Sequence, residues 1–476
     1  MMPIDDQGWR AWRRVLVQAR QRAALRGQPV LASLALPTSR IDAFACVARA
    51  EASTLAYALL DTRAPDRLLF GVGCAAELRE RPETALGAMA EQWQHWLEDR
   101  VQEGEVGPLL MGGARFDPLS RRAPHWEDFP AAVMTLHAVQ WSCQAEGAWL
   151  LLQARVAQGS DIERVIDERR AILACLSAPA PAPAASSSAL LALDADCDSI
   201  PRRAWEAMAG DAVRCIRAGE MRKVVLARHV QRTHTAPVDV ASVLRRLRTR
   251  DTDAHVFAVR RGGSCFLGAT PERLAHLEQG RVHTHALAGT AARGGDAQVD
   301  RQLGQTLMNS PKEREEHDLV VRTIADGLAR LGGQAMAADC PQLRKLATLQ
   351  HLTTPLWADV GEHIGVLDVV EQLHPTPAVA GLALAQALSF IREHEGLDRG
   401  WYAGPVGWMD TRAQGDFVVA LRSMLVRAHD TYLFAGCGVV ADSDPKAEFQ
   451  ETQLKLSGMF KALQSLPHPM PHATPA

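Results

Sequence analysis

The chain has 476 residues, with 52 basic against 55 acidic side chains and a formal net charge of −3. That balance argues against a dedicated nucleic-acid binder or a basic membrane-surface binder, either of which carries a basic excess or stripe. No stretch approaches the roughly 18 uninterrupted apolar residues of a membrane-spanning helix. Nine cysteines are scattered, odd in number and without a C-x-x-C pair, so they read as reduced, mostly packed thiols of a cytoplasmic protein and give no support for a zinc site.

The opening segment, "MMPIDDQGWRAWRRVLVQARQRAALRG", places acids where an export signal is basic and interrupts its apolar positions with arginine. An amphipathic helix over 9–26 is expected rather than a leader. A second helix is expected over 82–103, with strands at "RLLFGVG", "AVMTLHAVQWSC" and "AWLLLQARV". The tract "SAPAPAPAASSS" then reads as a semi-extended linker or insertion. It divides the chain into an N-terminal part (1–176), the linker (177–190), a C-terminal region (191–465) richer in sequence signals, and a flexible tail (466–476).

Beyond the linker, "RKVVLARHV" and "HVFAVRRGGSCFLGA" are expected strands, the second with a Gly-Gly hairpin turn, and "RVHTHALAG" is another. "DFVVALRSMLVRAHDTYLFAGCGVV" reads as two strands meeting near His429 and Asp430. Helices are expected over 310–331, 381–395 and 445–464. The irregular alternation predicts an α/β protein of the α+β type, with mostly antiparallel strands rather than a doubly wound parallel sheet. No short-period repeat is present.

Two helices carry carboxylates at unusual places. In "SPKEREEHDLVVRTIADGLARL" the apolar stripe runs through Val320, Ile324, Leu328 and Leu331, and helical steps toward the N-terminus reach Glu316 and Glu313. The helix N-terminus tolerates carboxylates there, but an inward one needs a partner. In "AGCGVVADSDPKAEFQETQLK" the Ser443-Asp444-Pro445 step starts a helix, placing Glu448, Glu451 and Lys455 on one face. Glu451 and Lys455 would equally make an ordinary surface ion pair. Two Glu-x-x-Glu pairs on two helices form an oxygen-rich set suited to magnesium.

Around them, Lys223 precedes an apolar strand, where desolvation would favour a base and a snorkelling edge lysine is the plainer alternative. Glu272 follows Thr-Pro at a strand end, where a turn carboxylate is unremarkable. Gly289-Thr290 and Gly436-x-Gly438 permit close backbone approach. Arg422, inside "FVVALRSMLV", is the arginine of a strand core that usually faces an anion. Metal, arginine, backbone donors, lysine and carboxylic acid together describe a pocket for a small polycarboxylate.

These stretches, with "ATPERL", "HALAGTAARG", "LQHL", "LHPTPAVAG" and "WYAGPVGW", resemble the chorismate-utilising enzymes, and within them isochorismate synthase. The matches keep the family's order over about 222–455, and "MGGARFDP" with "WEDFP" extends them weakly into the N-terminal part. The resemblance implies one large domain of two stacked, mostly antiparallel sheets with flanking helices, acting as a monomer on chorismate with Mg²⁺ and no further cofactor. It implies that Lys223 is the general base for water attack at C2, and Glu272 the acid that protonates the departing C4 hydroxyl. Glu316 and Glu451 would bind magnesium directly, and Glu313 and Glu448 through water. Arg422 and Tyr402 would hold the enolpyruvyl carboxylate. Gly289, Thr290, Gly436 and Gly438 would form the loops around the substrate, with His351 and Lys455 lining the site.

Ala378 favours water over ammonia as nucleophile, since ammonia-using relatives carry threonine there. Salicylate synthase, an amination-type enzyme (anthranilate or aminodeoxychorismate synthase component I) and a catalytically inert chorismate-binding subunit are the alternatives. After "HPTPAVAG" the chain departs from the family's proline and basic residue with Leu382-Ala383-Leu384, so a different helix start is expected there. Isochorismate feeds menaquinone, catechol siderophores and salicylate alike.

Overall fold

The computed structural model describes residues 4–63, 66–79, 86–179, 197–347 and 349–464. Most of the 177–190 linker, the 466–476 tail and the first residues of the helix expected over 82–103 lie outside the described residues.

Alternating apolar residues build a sheet with a core on each face. Along Tyr57–Arg63, Ala58 and Leu60 enter one core while Tyr57 and Leu59 enter the other, the period of two that a strand imposes. One core holds Trp126, Phe129, Phe257, Phe266 and Trp401, together with Val320, Ile324 and Leu328 of the helix Pro311–Arg330. The other is covered by Asp6–Arg26, Ala43–Ala52, Ile162–Ser177 and Val240–Arg250, through Trp12, Val47, Ile166 and Leu244. Fully burying each such large side chain contributes about 1.5–3 kcal/mol.

The described strands join in one network of 21, so the layers are parts of a single continuous sheet that curls. Val30–Pro37 runs parallel to Val101–Glu103; the other described pairings are antiparallel. Tyr57–Arg63 pairs with His255–Arg261, and Leu110–Ala114 with Pro405–Met409. Segments from either side of the linker therefore share one sheet, and the chain is a single mixed α/β domain, as expected. No helix among the described residues is long and apolar enough to cross a membrane.

Three local expectations need correction. Of the helix expected over 82–103, the described part is Leu86–Glu98, and it ends early because Val101–Glu103 is a parallel strand. The helix expected over 381–395 begins at Leu384, because Gly381–Leu382 pairs with Lys223 and Val224 and Ala383 then turns at φ 65°. The 416–440 run forms three strands, Gly415–Val419, Ser423–Arg427 and Asp430–Val439. Arg422 stands in the break between the first two at φ 49°, not inside a strand. A left-handed arginine costs roughly 1–3 kcal/mol, and sheet pairing on both sides of the break holds it.

Candidate active site

The strands Lys223–Thr233 and Asp430–Val439 pair with Val225 opposite Gly438 and Ala227 opposite Gly436. The two glycines, two residues apart, share a face. A Cβ on Gly438 would lie 2.9 Å from Lys223 Cε, and one on Gly436 2.7 Å from the Leu226 carbonyl of the paired strand and 3.3 Å from the Tyr402 hydroxyl. The missing side chains make room for Lys223 at Gly438 and for the close approach of the paired strand, beside Tyr402, at Gly436. On Arg281–Ala292 a bulge separates Ala288 from Thr290, and Gly289 supplies its φ of +76°. A Cβ there would lie 3.1 Å from Glu313 Oε2.

Every candidate residue except Tyr402 and Gly436 lines one cavity of about 770 Å³. Those two line an adjoining cavity of about 490 Å³, which shares Ala378, Leu421, Arg422, Gly438 and Lys455 with the first. The residues named from the sequence are thus gathered in one place.

Lys223 is 3% exposed, as its apolar strand predicts. It does not stand free: Nζ donates to Glu316 Oε1 at 2.6 Å. Lys455 Nζ lies 2.6 Å from Glu451 Oε1 and donates to the Gly436 carbonyl at 2.9 Å. The expected i,i+4 pair therefore exists, on the cavity wall rather than on a solvated face. Burial would raise the Glu316 carboxyl, but the charge and hydrogen bond of Lys223 outweigh it and hold the group below the usual carboxylate range. Glu313 and Glu448 go the other way, raised by burial and then by the neighbouring charges of Glu316 and Glu451 respectively.

Among the described residues no cluster of three or more His, Cys, Asp or Glu donors is gathered closely enough to hold a metal. The donor set itself fits a hard divalent cation. Four carboxylates share one cavity wall, and two are raised by burial and then by like charge, the second of which a cation would relieve.

Arg422 Nη2 donates to His351 Nε2 at 3.2 Å. Since arginine only donates, Nε2 is the acceptor and Nδ1 carries the proton. Nδ1 then faces the Thr290 hydroxyl at 3.1 Å and the Gly289 carbonyl at 3.2 Å. Burial and then Arg422 keep this imidazole neutral, far below its ordinary range. Tyr402 stacks on Phe434 with centroids 5.1 Å apart. Ala378 sits in a turn where the Val379 and Ala380 amides donate to the Thr376 carbonyl, and Arg399 holds the Val379 carbonyl at 2.9 Å.

Glu272 lies between the strands Ser264–Thr270 and Arg273–Glu278, its carbonyl accepting from the Val419 amide. At 4% exposure, burial pushes its carboxyl up to about 7 against the pull of Lys223. Between the ordinary carboxylate value and about 7 the unfolded chain has released this proton and the folded one retains it. The group's contribution to stability therefore falls as pH rises through that window. Glu272→Gln removes the effect. Its melting temperature relative to wild type is expected to rise by a few degrees (~) between pH 4 and pH 8; a pH-independent difference would place this titration elsewhere.

Lys312, Leu421 and Ser443 also line the larger cavity and were not singled out from the sequence. Helical pitch could have found Lys312, one turn before Glu316. In the sequence Ser443 marks only a helix start. Asp444 is the cap, accepting from the Lys446 amide, while the Ser443 hydroxyl accepts from the Val440 amide and bonds Glu448.

A family model described as chorismate binding enzyme matches residues 18–464. The salicylate biosynthesis isochorismate synthase of Pseudomonas aeruginosa is 43% identical over 402 residues, 84% of each chain. Isochorismate synthase MenF of Bacillus subtilis is 36% identical over 381 residues, 78% of this chain and 80% of that one. Among solved structures, the menaquinone-specific isochorismate synthase MenF from Escherichia coli superposes with a TM-score of 0.78 at 26% identity, covering 95% of this chain and 100% of the other. On the span of that match and the identity of these relatives, the chain belongs to the chorismate binding enzymes.

Proposed function

We propose that this protein is an isochorismate synthase, an isomerase that converts chorismate reversibly to isochorismate by adding water at C2 and losing the C4 hydroxyl as water. The observation that carries this reading is the pair Lys223 and Glu272 in one cavity, a buried lysine facing a carboxyl whose proton persists to about pH 7. A lysine and a protonated carboxyl are the base and acid such an exchange of hydroxyls needs. The relatives named isochorismate synthase support it.

In this reading Lys223 takes the proton of the attacking water, and Glu272 gives its own to the departing hydroxyl. Arg422, positioned by neutral His351, and Tyr402 hold the enolpyruvyl carboxylate at the junction of the two cavities. Gly289, Thr290, Gly436 and Gly438 leave the backbone open around the ring, and Lys455 completes the polar wall. Magnesium, when bound, would be held by Glu316 and Glu451, with Glu313 and Glu448 acting through water, and would neutralise the ring carboxylate. Lys223 would accept the water's proton on the lone pair of its neutral amine, and a cation bound at Glu316 would compete for the carboxylate oxygen that the lysine now holds.

The test is incubation of the purified protein with chorismate and Mg²⁺, followed by chromatography. The expected result is an equilibrium mixture of chorismate and isochorismate, with slow pyruvate release near neutral pH. Ammonium at raised pH is expected to give little aminated product, because Ala378 stands where ammonia-using relatives carry threonine. Stoichiometric salicylate and pyruvate would make the protein a salicylate synthase, and an ammonium-dependent aminated product would overturn the reading of Ala378.

A further inference from the structure

Four cations line the larger cavity, and three are engaged. Lys223 donates to Glu316, Lys455 pairs with Glu451, and Arg422 donates to His351. Lys312 is exposed and, among the described residues, has no hydrogen bond or ion pair. Its charge nevertheless acts on Glu313 and Glu316 of its own helix and on Glu448 of the helix Pro445–Leu463.

The position is a poor one for a lysine on helix grounds alone. Lys312 is the second residue of Pro311–Arg330, where the positive end of the helix dipole disfavours a cation. It also precedes Glu316 by four residues, the less favourable order for a helical ion pair. Helix stability therefore does not account for it, whereas proximity to the carboxylates does.

Resting on the reading that these glutamates bind magnesium, we propose that Lys312 is a positioning residue that weakens cation binding in the substrate-free protein, so that metal and the anionic substrate bind together rather than singly. A positive charge acting on Glu313, Glu316 and Glu448 opposes an arriving cation. A substrate carboxylate entering the cavity offsets that charge, so each ligand raises the affinity for the other, and by linkage the two effects are equal. Without Lys312, the substrate-free protein would bind the metal more tightly and the coupling between the two ligands would weaken.

The experiment is calorimetric titration of Mg²⁺ alone into wild type, Lys312→Met, Lys312→Gln and Arg314→Met at fixed ionic strength, with kcat and KM for chorismate measured at saturating Mg²⁺. A unit charge within about one helical turn of the site, partly screened by water, changes divalent affinity by about tenfold. Both Lys312 variants are expected to bind Mg²⁺ about tenfold tighter, and their KM for chorismate to rise while kcat changes little. Arg314, exposed on the same turn but outside the cavity wall, controls for surface charge, and Arg314→Met is expected to match wild type. Lys312 variants that bind Mg²⁺ no tighter than wild type would overturn the proposal, as would an equal tightening in Arg314→Met. A wild type that binds no Mg²⁺ would overturn the underlying metal reading and this one with it, a result distinct from the other two.

Discussion

Lys223→Ala is expected to lower the rate of isochorismate formation by at least ~10²-fold, the usual scale for losing a positioned proton transfer, while chorismate affinity changes far less. Glu272→Gln should do the same, since it keeps the shape of the side chain and removes its proton. The lysine variant has a second expected consequence. Removing Lys223 frees Glu316, whose side chain is 16% exposed and otherwise bonded to the lysine at 2.6 Å. A largely buried carboxylate left without its partner is costly, and a divalent cation is the partner that can replace it. Lys223→Ala should therefore bind Mg²⁺ at least as tightly as wild type while turning over far more slowly. Failure by general damage would weaken both properties. A near-normal rate would remove the lysine from the mechanism.

The parts of this site that were legible in the sequence are those fixed by the helical repeat. Glu313 and Glu316 continue the stripe of Val320, Ile324 and Leu328, and three buried apolar side chains settle which way that helix faces. Glu448, Glu451 and Lys455 follow from the Asp444-Pro445 start by counting alone. The resemblance to chorismate-utilising enzymes then supplied the family, and the single mixed sheet agrees with the fold it implied.

What was not legible depends on contacts between distant segments. Arg422 looked like a strand residue because apolar residues surround it on both sides. The break there comes from different partners: Gly415–Val419 pairs with Pro405–Met409 and Arg273–Glu278, and Ser423–Arg427 with Ser264–Thr270. The tautomer of His351 is set by that same arginine, 71 positions away in sequence. The late start of the helix at Leu384 reflects pairing of Gly381–Leu382 with Lys223, a contact across more than 150 residues. Local pattern cannot contain the first two, and the Leu382-Ala383-Leu384 departure marks a changed helix start without placing it. Lys312 was missed for the opposite reason: it sits at a legible position, but a lone lysine near a helix start carries no signal until the carboxylates opposite it are known.

The four glutamates are expected to divide into two classes when each is changed to glutamine. Glu316→Gln and Glu451→Gln should weaken Mg²⁺ binding and reduce turnover by more than ~10²-fold, with the fold intact because the side-chain volume is kept. Glu313→Gln and Glu448→Gln should cost about 10–100-fold, the range for groups that act on a metal through an intermediary. The distinction has a physical origin. Each member of the first pair is held ion-paired by a lysine within 2.6 Å, and a cation can take over such a carboxylate by displacing the lysine. The second pair is raised by burial and by the charge of the first, so each of these groups binds a proton more readily and offers less charge to a metal. Magnesium titration of the four variants, read beside their turnover, tests the ordering. Unchanged magnesium dependence in both Glu316→Gln and Glu451→Gln would show that the ligands were wrongly assigned. Equal losses across all four would show instead that the cation takes all four carboxylates alike, and that the lysines do not mark the ones it binds directly.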